Sequence, residues 1–296
     1  MTMLKRLFLI VACALWLGLP SAFAQTQTFA DGFKGPENLA FDGQANLYVS
    51  DTNHLWKMGM DGKATALYAR DPQTDGISLG AVRIGPEGKV YFSVGNRILR
   101  LDPKDNSVAE FVRGIKGFAN GNAFDDRGNF FIADSQEKIL YVVPAGTQEL
   151  KVLKQKPGWI NGLVWNRKDN TLYFTLSAPG RVGGFRLSDD GLSIREEITV
   201  VKFTFGGLDD LTLDAAGNFY VCLWLNGKIM KVSPDGKKEV FLDKIDGPSS
   251  VAFGLGPDAD TLFITVKGGN TKFEGTQLVK IKTSSQGILP PFVSAK

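Results

Sequence analysis

One pattern recurs six times along the 296-residue chain, and few folds can accommodate it. Each copy is a short segment ending in an apolar residue, then a polar or glycine turn, then an alternating strand-like run. The copies begin at Glu37, Gly80, Asn120, Asn161, Asp209 and Ser249. The apolar residues before the turns are Phe41, Ile84, Phe124, Trp165, Leu213 and Phe253, at intervals of 43, 40, 41, 48 and 40 residues. After most copies comes a further pair of strand-like runs, as at Leu55 to Met58 with Ala64 to Ala69, and at Ile98 to Leu101 with Val108 to Val112. Four strands in a period of about 40 to 45 residues is the arithmetic of a propeller blade. No amphipathic helix of ordinary length interrupts the series, so the pattern predicts an all-β, six-bladed β-propeller with four-stranded blades. The sixth copy is one strand short, with only Thr261 to Val266 and Gln277 to Lys282 after Phe253. Pairing the N-terminal run Thr26 to Ala30 into that blade closes the ring and removes its exposed edges.

Residues 1–24 stand apart from this pattern. Lys5 and Arg6 precede an apolar run from Leu7 to Leu19, and Ala22-Phe23-Ala24 supplies an A-x-A cleavage site. Those features predict a secretory leader at 1–24 and a propeller over 25–296, in the periplasm or secreted. Ile10-Val11-Ala12-Cys13 only faintly resembles a lipoprotein processing site, because the apolar run continues well past Cys13. Cleavage leaves Cys222 as the one cysteine, so no internal disulfide is expected, and its apolar YVCLW surroundings read as core. With 34 Lys+Arg against 31 Asp+Glu, the charge is too balanced for an electrostatic nucleic-acid binder. A single histidine, His54, excludes a multi-histidine zinc site and is expected in a surface turn.

Blades are related by rotation about the channel, so residues at one register occupy equivalent positions around it. Four residues before each apolar mark stand Glu37, Gly80, Asn120, Asn161, Asp209 and Ser249. This ring is rich in oxygen donors, contains two carboxylates and lacks Lys and Arg. Converging carboxylates repel and lose hydration, and need a shared proton or a bound cation. An all-oxygen set suits a hard divalent ion, Ca²⁺ before Mg²⁺ or Mn²⁺, over a metal that prefers thiolate or imidazole, with the softer Zn²⁺ as a further candidate. Asn-Gly and Asp-Asp pairs are also ordinary turn chemistry, and a one-residue slip would put Asp210 in place of Asp209.

The GPEN at 35–38, the NG pairs at 120–121 and 161–162, and Asp209 ahead of LTLDAAGN resemble the SMP-30/gluconolactonase/LRE-like family, over about residues 33 to 283. The resemblance implies a propeller with one divalent metal held by Glu37, Asn120, Asn161 and Asp209. It implies lactone hydrolysis, with Asp209 also the general base and a small-molecule lactone or ester as partner. The sugar-lactone members carry an arginine two residues before the first Asn ligand, where this chain has Phe118. Phe118 and Trp159 therefore read as an apolar substrate rim, or equally as packing between blades. Two other function classes stand beside this one: a non-enzymatic binding propeller, and a strictosidine-synthase-like propeller, against which the metal-like ring argues.

Overall fold

The structure is a computed structural model describing residues 25–76, 78–269 and 272–294, so the expected leader at 1–24 lies outside the described residues. Among the described residues, twenty-four strands form six four-stranded antiparallel sheets, the predicted six-bladed propeller. The innermost strands of blades one to six are Asn38–Phe41, Leu79–Ile84, Ala119–Phe124, Ile160–Asn166, Leu208–Leu213 and Pro248–Phe253. Closure is as expected: Gln27–Ala30 is the outer strand of the sixth blade, pairing Gln27 with Lys280 and Thr28 with Val279. Phe263 in that blade is packed by Phe29 from the closing strand and Phe41 from blade one, at ring separations of 5.1 and 4.9 Å.

The core is a set of wedges between neighbouring sheets. Phe131, Leu140 and Phe174 fill the wedge between blades three and four, and Tyr220, Cys222, Val251 and Ile264 that between five and six. This placement explains the burial pattern, since an inner or middle strand has a neighbouring sheet on both faces. Phe130–Asp134 is buried throughout, whereas the outer strand Ala64–Ala69 is mostly exposed. Cys222 lies in this core as expected, and burial pushes its thiol pKa well up. His54 departs from expectation: it opens the strand His54–Met58, half-buried beside Trp56.

The turn residues of the repeat have a mechanical role. Asp42, Asp125 and Asp214 each accept backbone N–H bonds from the residues two and four ahead, closing the hairpin. Each also accepts the side-chain amide of the asparagine four residues on, at 2.7 to 2.8 Å. These Asx turns fix the register of the first two strands in blades one, three and five.

The channel is plugged by polar groups that satisfy one another. Asp210 accepts Nδ2 of Asn38 at 2.8 Å and Oγ of Ser250 at 2.6 Å, while Arg83 donates to Oδ1 of Asn38 at 2.7 Å. Beyond the plug, the proline-containing tail crosses the far mouth. Ile288 bonds the carbonyl of Leu213, Phe292 packs against Phe124, and Val293 is buried in the wedge of blades one and two. Two substitutions test this architecture by urea unfolding. Phe263→Ala, at a side chain with no exposure, is expected to cost about 3–5 kcal/mol. Asp210→Ala leaves Arg83, Asn38 and Ser250 without their shared acceptor and is expected to cost about 3–5 kcal/mol.

Candidate functional site

Above the plug, the channel opens into a cavity of about 630 Å³ to which Glu37, Asn120, Asn161 and Asp209 all contribute. The four residues predicted from one register thus come together from blades one, three, four and five. The other two members of that register do not join them. Gly80 has no side chain, and Ser249 is turned into the blade, donating to the carbonyl of Pro36 at 2.9 Å and lying 2.8 Å from Oγ1 of Thr265. Phe118 and Trp159 line the same cavity, with Phe205, Trp224, Leu225 and Phe273. Trp159, Phe205 and Leu225 are 50%, 46% and 61% exposed, which leaves an apolar rim facing solvent.

Local geometry explains why these residues face inward. In five blades the pairing of the first two strands slips at this level, between Leu79 and Val82, Ala119 and Asn122, Ile160 and Leu163, Leu208 and Leu211, and Pro248 and Val251. Such a bulge breaks strict alternation and re-aims side chains. Both Asp209 and Asp210 therefore turn to the channel, Asp209 into the cavity and Asp210 into the plug. The glycines of the NG pairs are demanded by close approach of the strands. A Cβ on Gly121 would stand 2.0 Å from the carbonyl oxygen of Asn161, and one on Gly162 would stand 2.6 Å from Cα of Asp210. Asn161 is held by its amide, which donates to Oγ of Ser177 at 3.1 Å. The loop before Phe118 is held by Asp134, which accepts the N–H of Gly117 at 2.8 Å.

Lys267 is the functional residue that the sequence reading missed. It follows the second strand of blade six, its side chain is 13% exposed, and its ammonium is ion-paired with Oε2 of Glu37. On another side the ammonium stands 4.2 Å from the ring centroid of Phe273, within cation–π range. The ring of positions it belongs to is not the one counted from the apolar marks. One residue past the paired end of the second strand, blades three to six carry Ser135, Ser177, Trp224 and Lys267, and the last three line the cavity. Comparing the ends of the second strands would have shown a single basic residue at that level.

The electrostatics follow from two carboxylates and one ammonium in a poorly hydrated place. Burial, reinforced by the charge of Glu37, holds the carboxyl of Asp209 well above the usual carboxylate range. Burial works against the Lys267 ammonium, yet the charges of Glu37 and Asp209 outweigh it and raise its pKa above the ordinary value. The cavity thus keeps its lysine charged at neutral pH.

A divalent cation can be tested against this arrangement. The donor types suit a hard ion, since carboxylate and amide oxygens meet from four blades. The charge already in place does not. An ammonium in contact with Glu37 would face a second cation across the same carboxylate. As the side chains stand, the site does not fit a divalent ion bound at Glu37.

A family model of the SMP-30/Gluconolactonase/LRE-like region matches residues 36–268. A pentonolactonase of Haloferax volcanii is 32% identical over 116 residues, covering 37% of this chain and 38% of that protein. Regucalcin of Xenopus laevis is 26% identical over 206 residues, 63% of this chain and 68% of that one. Among solved structures, a calcium-binding regucalcin of Agrobacterium tumefaciens superposes with a TM-score of 0.73 at 15% identity, covering 90% of this chain and 98% of its own. Since the family match runs from the first blade to the end of the sixth blade's second strand and takes in every charged residue of the cavity, the chain belongs to the SMP-30/gluconolactonase/LRE-like family.

Proposed function

We propose that the protein hydrolyses a lactone, or a related ester, whose body is largely apolar. The observation that carries this reading is the single cavity in which Asp209, Glu37 and two asparagine amides lie beneath a rim of Phe118, Trp159, Phe205 and Leu225. Such a site holds a reacting carbonyl at its polar floor and an apolar body at its mouth. The lactonase names of distant relatives support the reaction class.

Asp209 is the group placed to take a proton from the attacking water. Its raised pKa makes it a stronger base, once ionised, than an exposed carboxylate. As water oxygen bonds to the carbonyl carbon, the side-chain amide of Asn120 is the neutral donor available to the carbonyl oxygen as it gains charge, since the Asn161 amide already donates to Ser177. The ring carbon–oxygen bond then breaks, the departing oxygen takes the proton, and a hydroxy acid leaves. One water is consumed and no covalent enzyme intermediate forms. Phe118 and Trp159 supply contact area for the apolar body, in place of the polar contacts a sugar lactone needs.

Acid release from a panel of sugar, aliphatic and aromatic lactones tests this reading, with turnover expected on the apolar members first. Absence of turnover on every member would move the site to a binding role. Asp209→Asn is expected to lower kcat by about 100-fold or more, with unchanged circular dichroism. Trp159→Ala is expected to raise KM for aromatic lactones by about tenfold while leaving kcat within about twofold. Residues 1–24 are read as a leader, so the protein recovered from the periplasm or medium is expected to begin at Gln25 by intact mass.

A further inference from the structure

We infer that Lys267 is the resident cation of this channel, and that its ammonium takes the place of a divalent metal at Glu37. Three observations support the inference. The first is contact: Nζ of Lys267 is ion-paired with Oε2 of Glu37. The second is that the ammonium is built in from the opposite side. It stands 4.2 Å from the centroid of Phe273, and that ring is 6.1 Å from Trp224. The third is that the backbone carrying Lys267 is pinned. Its N–H donates to the carbonyl of Gly247 at 3.0 Å, its carbonyl accepts from Gly275 at 2.9 Å, and the indole of Trp224 donates to the carbonyl of Gly268 at 2.9 Å.

Charge then opposes a second cation at Glu37. Lys267 is the one basic side chain among the described residues lining the cavity, against the two carboxylates of Glu37 and Asp209. A divalent ion bound to Glu37 would have to displace the ammonium from the one carboxylate it is ion-paired with among the described residues, leaving it beside the ring of Phe273. The Lys267 side chain is 13% exposed, so solvent offers it little in exchange. The ring therefore carries its positive charge covalently, with one fixed unit of charge where a hard ion would bring two. That substitution weakens attraction for sugar-like polyols and other oxygen-rich ligands, which gain most from an open metal. It leaves a site whose one cation cannot be removed by chelation.

The inference concerns the same cavity as the proposed hydrolysis, and its test reads cation binding, so either can fail without the other. The mature protein, freed of metal by chelator and dialysed, is titrated calorimetrically with CaCl₂ and with MnCl₂, alongside Lys267→Met. Thermal unfolding is followed with and without Ca²⁺. The wild type is expected to show no saturable heat and no Tm shift. Lys267→Met, which keeps the apolar stem and removes the charge, is expected to bind one Ca²⁺ about a hundredfold more tightly or better, with Tm rising on Ca²⁺ addition. Micromolar Ca²⁺ binding by the wild type, or binding by Lys267→Met no tighter than by the wild type, would overturn the inference. Should Lys267→Met fail to fold, Lys267→Gln takes its place and the wild-type titration alone still decides against the inference if it saturates. Wild-type turnover of any lactone is expected to be indifferent to excess chelator, and loss of turnover restored by Ca²⁺ overturns it.

Discussion

Six inner strands converging on one axis are the constraint on which the remaining structure depends. Convergence brings backbones so close that a methyl group at Gly121 or Gly162 would collide with the next blade. The slip in strand pairing that accompanies this crowding frees consecutive residues from strict alternation. Polar side chains are thereby presented along the axis at two levels. Whatever reaches the axis must be satisfied there, because neighbouring strands wall it off from water.

The two levels meet that demand differently. At the lower level Asp210, Asn38, Ser250 and Arg83 exchange hydrogen bonds among themselves and fill the channel. A fully partnered network of this kind rigidifies its surroundings and has no bonding capacity left for a ligand. At the upper level the groups remain facing a cavity, and their charges are only partly matched. Adjacent residues of one strand, Asp209 and Asp210, therefore have different surroundings: one lines the cavity and the other is bound into the plug. The difference lies in their partners, since both are aspartates on the same bulge.

This division marks how far the sequence could be read. The period of the apolar marks is set by the size of a blade, so the number of blades, their strands and the closure by Gln27–Ala30 follow from counting. Glu37, Asn120, Asn161 and Asp209 share a register because rotation about the axis preserves register, and that too is countable. The choice between Asp209 and Asp210 depends on a bulge, which has no periodic signature. Ser249 has the right register and the wrong direction, because Thr265 and the carbonyl of Pro36 satisfy its hydroxyl inside the blade. Lys267 escaped because it enters the cavity from the second strand, at a level indexed by a different position in the repeat. The tail over the far mouth belongs to no repeat at all, and its contacts with Leu213, Phe124 and the first wedge arise only in three dimensions.

The charge inventory ties these levels to the character of the site. An axis with four oxygen-bearing side chains and no lysine would be strongly negative and would draw cations from solvent. Adding Lys267 beside Glu37 cancels much of that field at the point where it is strongest and leaves Asp209 as the carboxyl whose state is set by burial. The apolar rim acts in the same direction. Trp159, Phe205 and Leu225 at the mouth lower the local dielectric, which strengthens the Glu37–Lys267 pair. On the proposed reading, a floor with its cation built in and a mouth of apolar side chains belong together, because each would favour a ligand that brings one polar function and an apolar body.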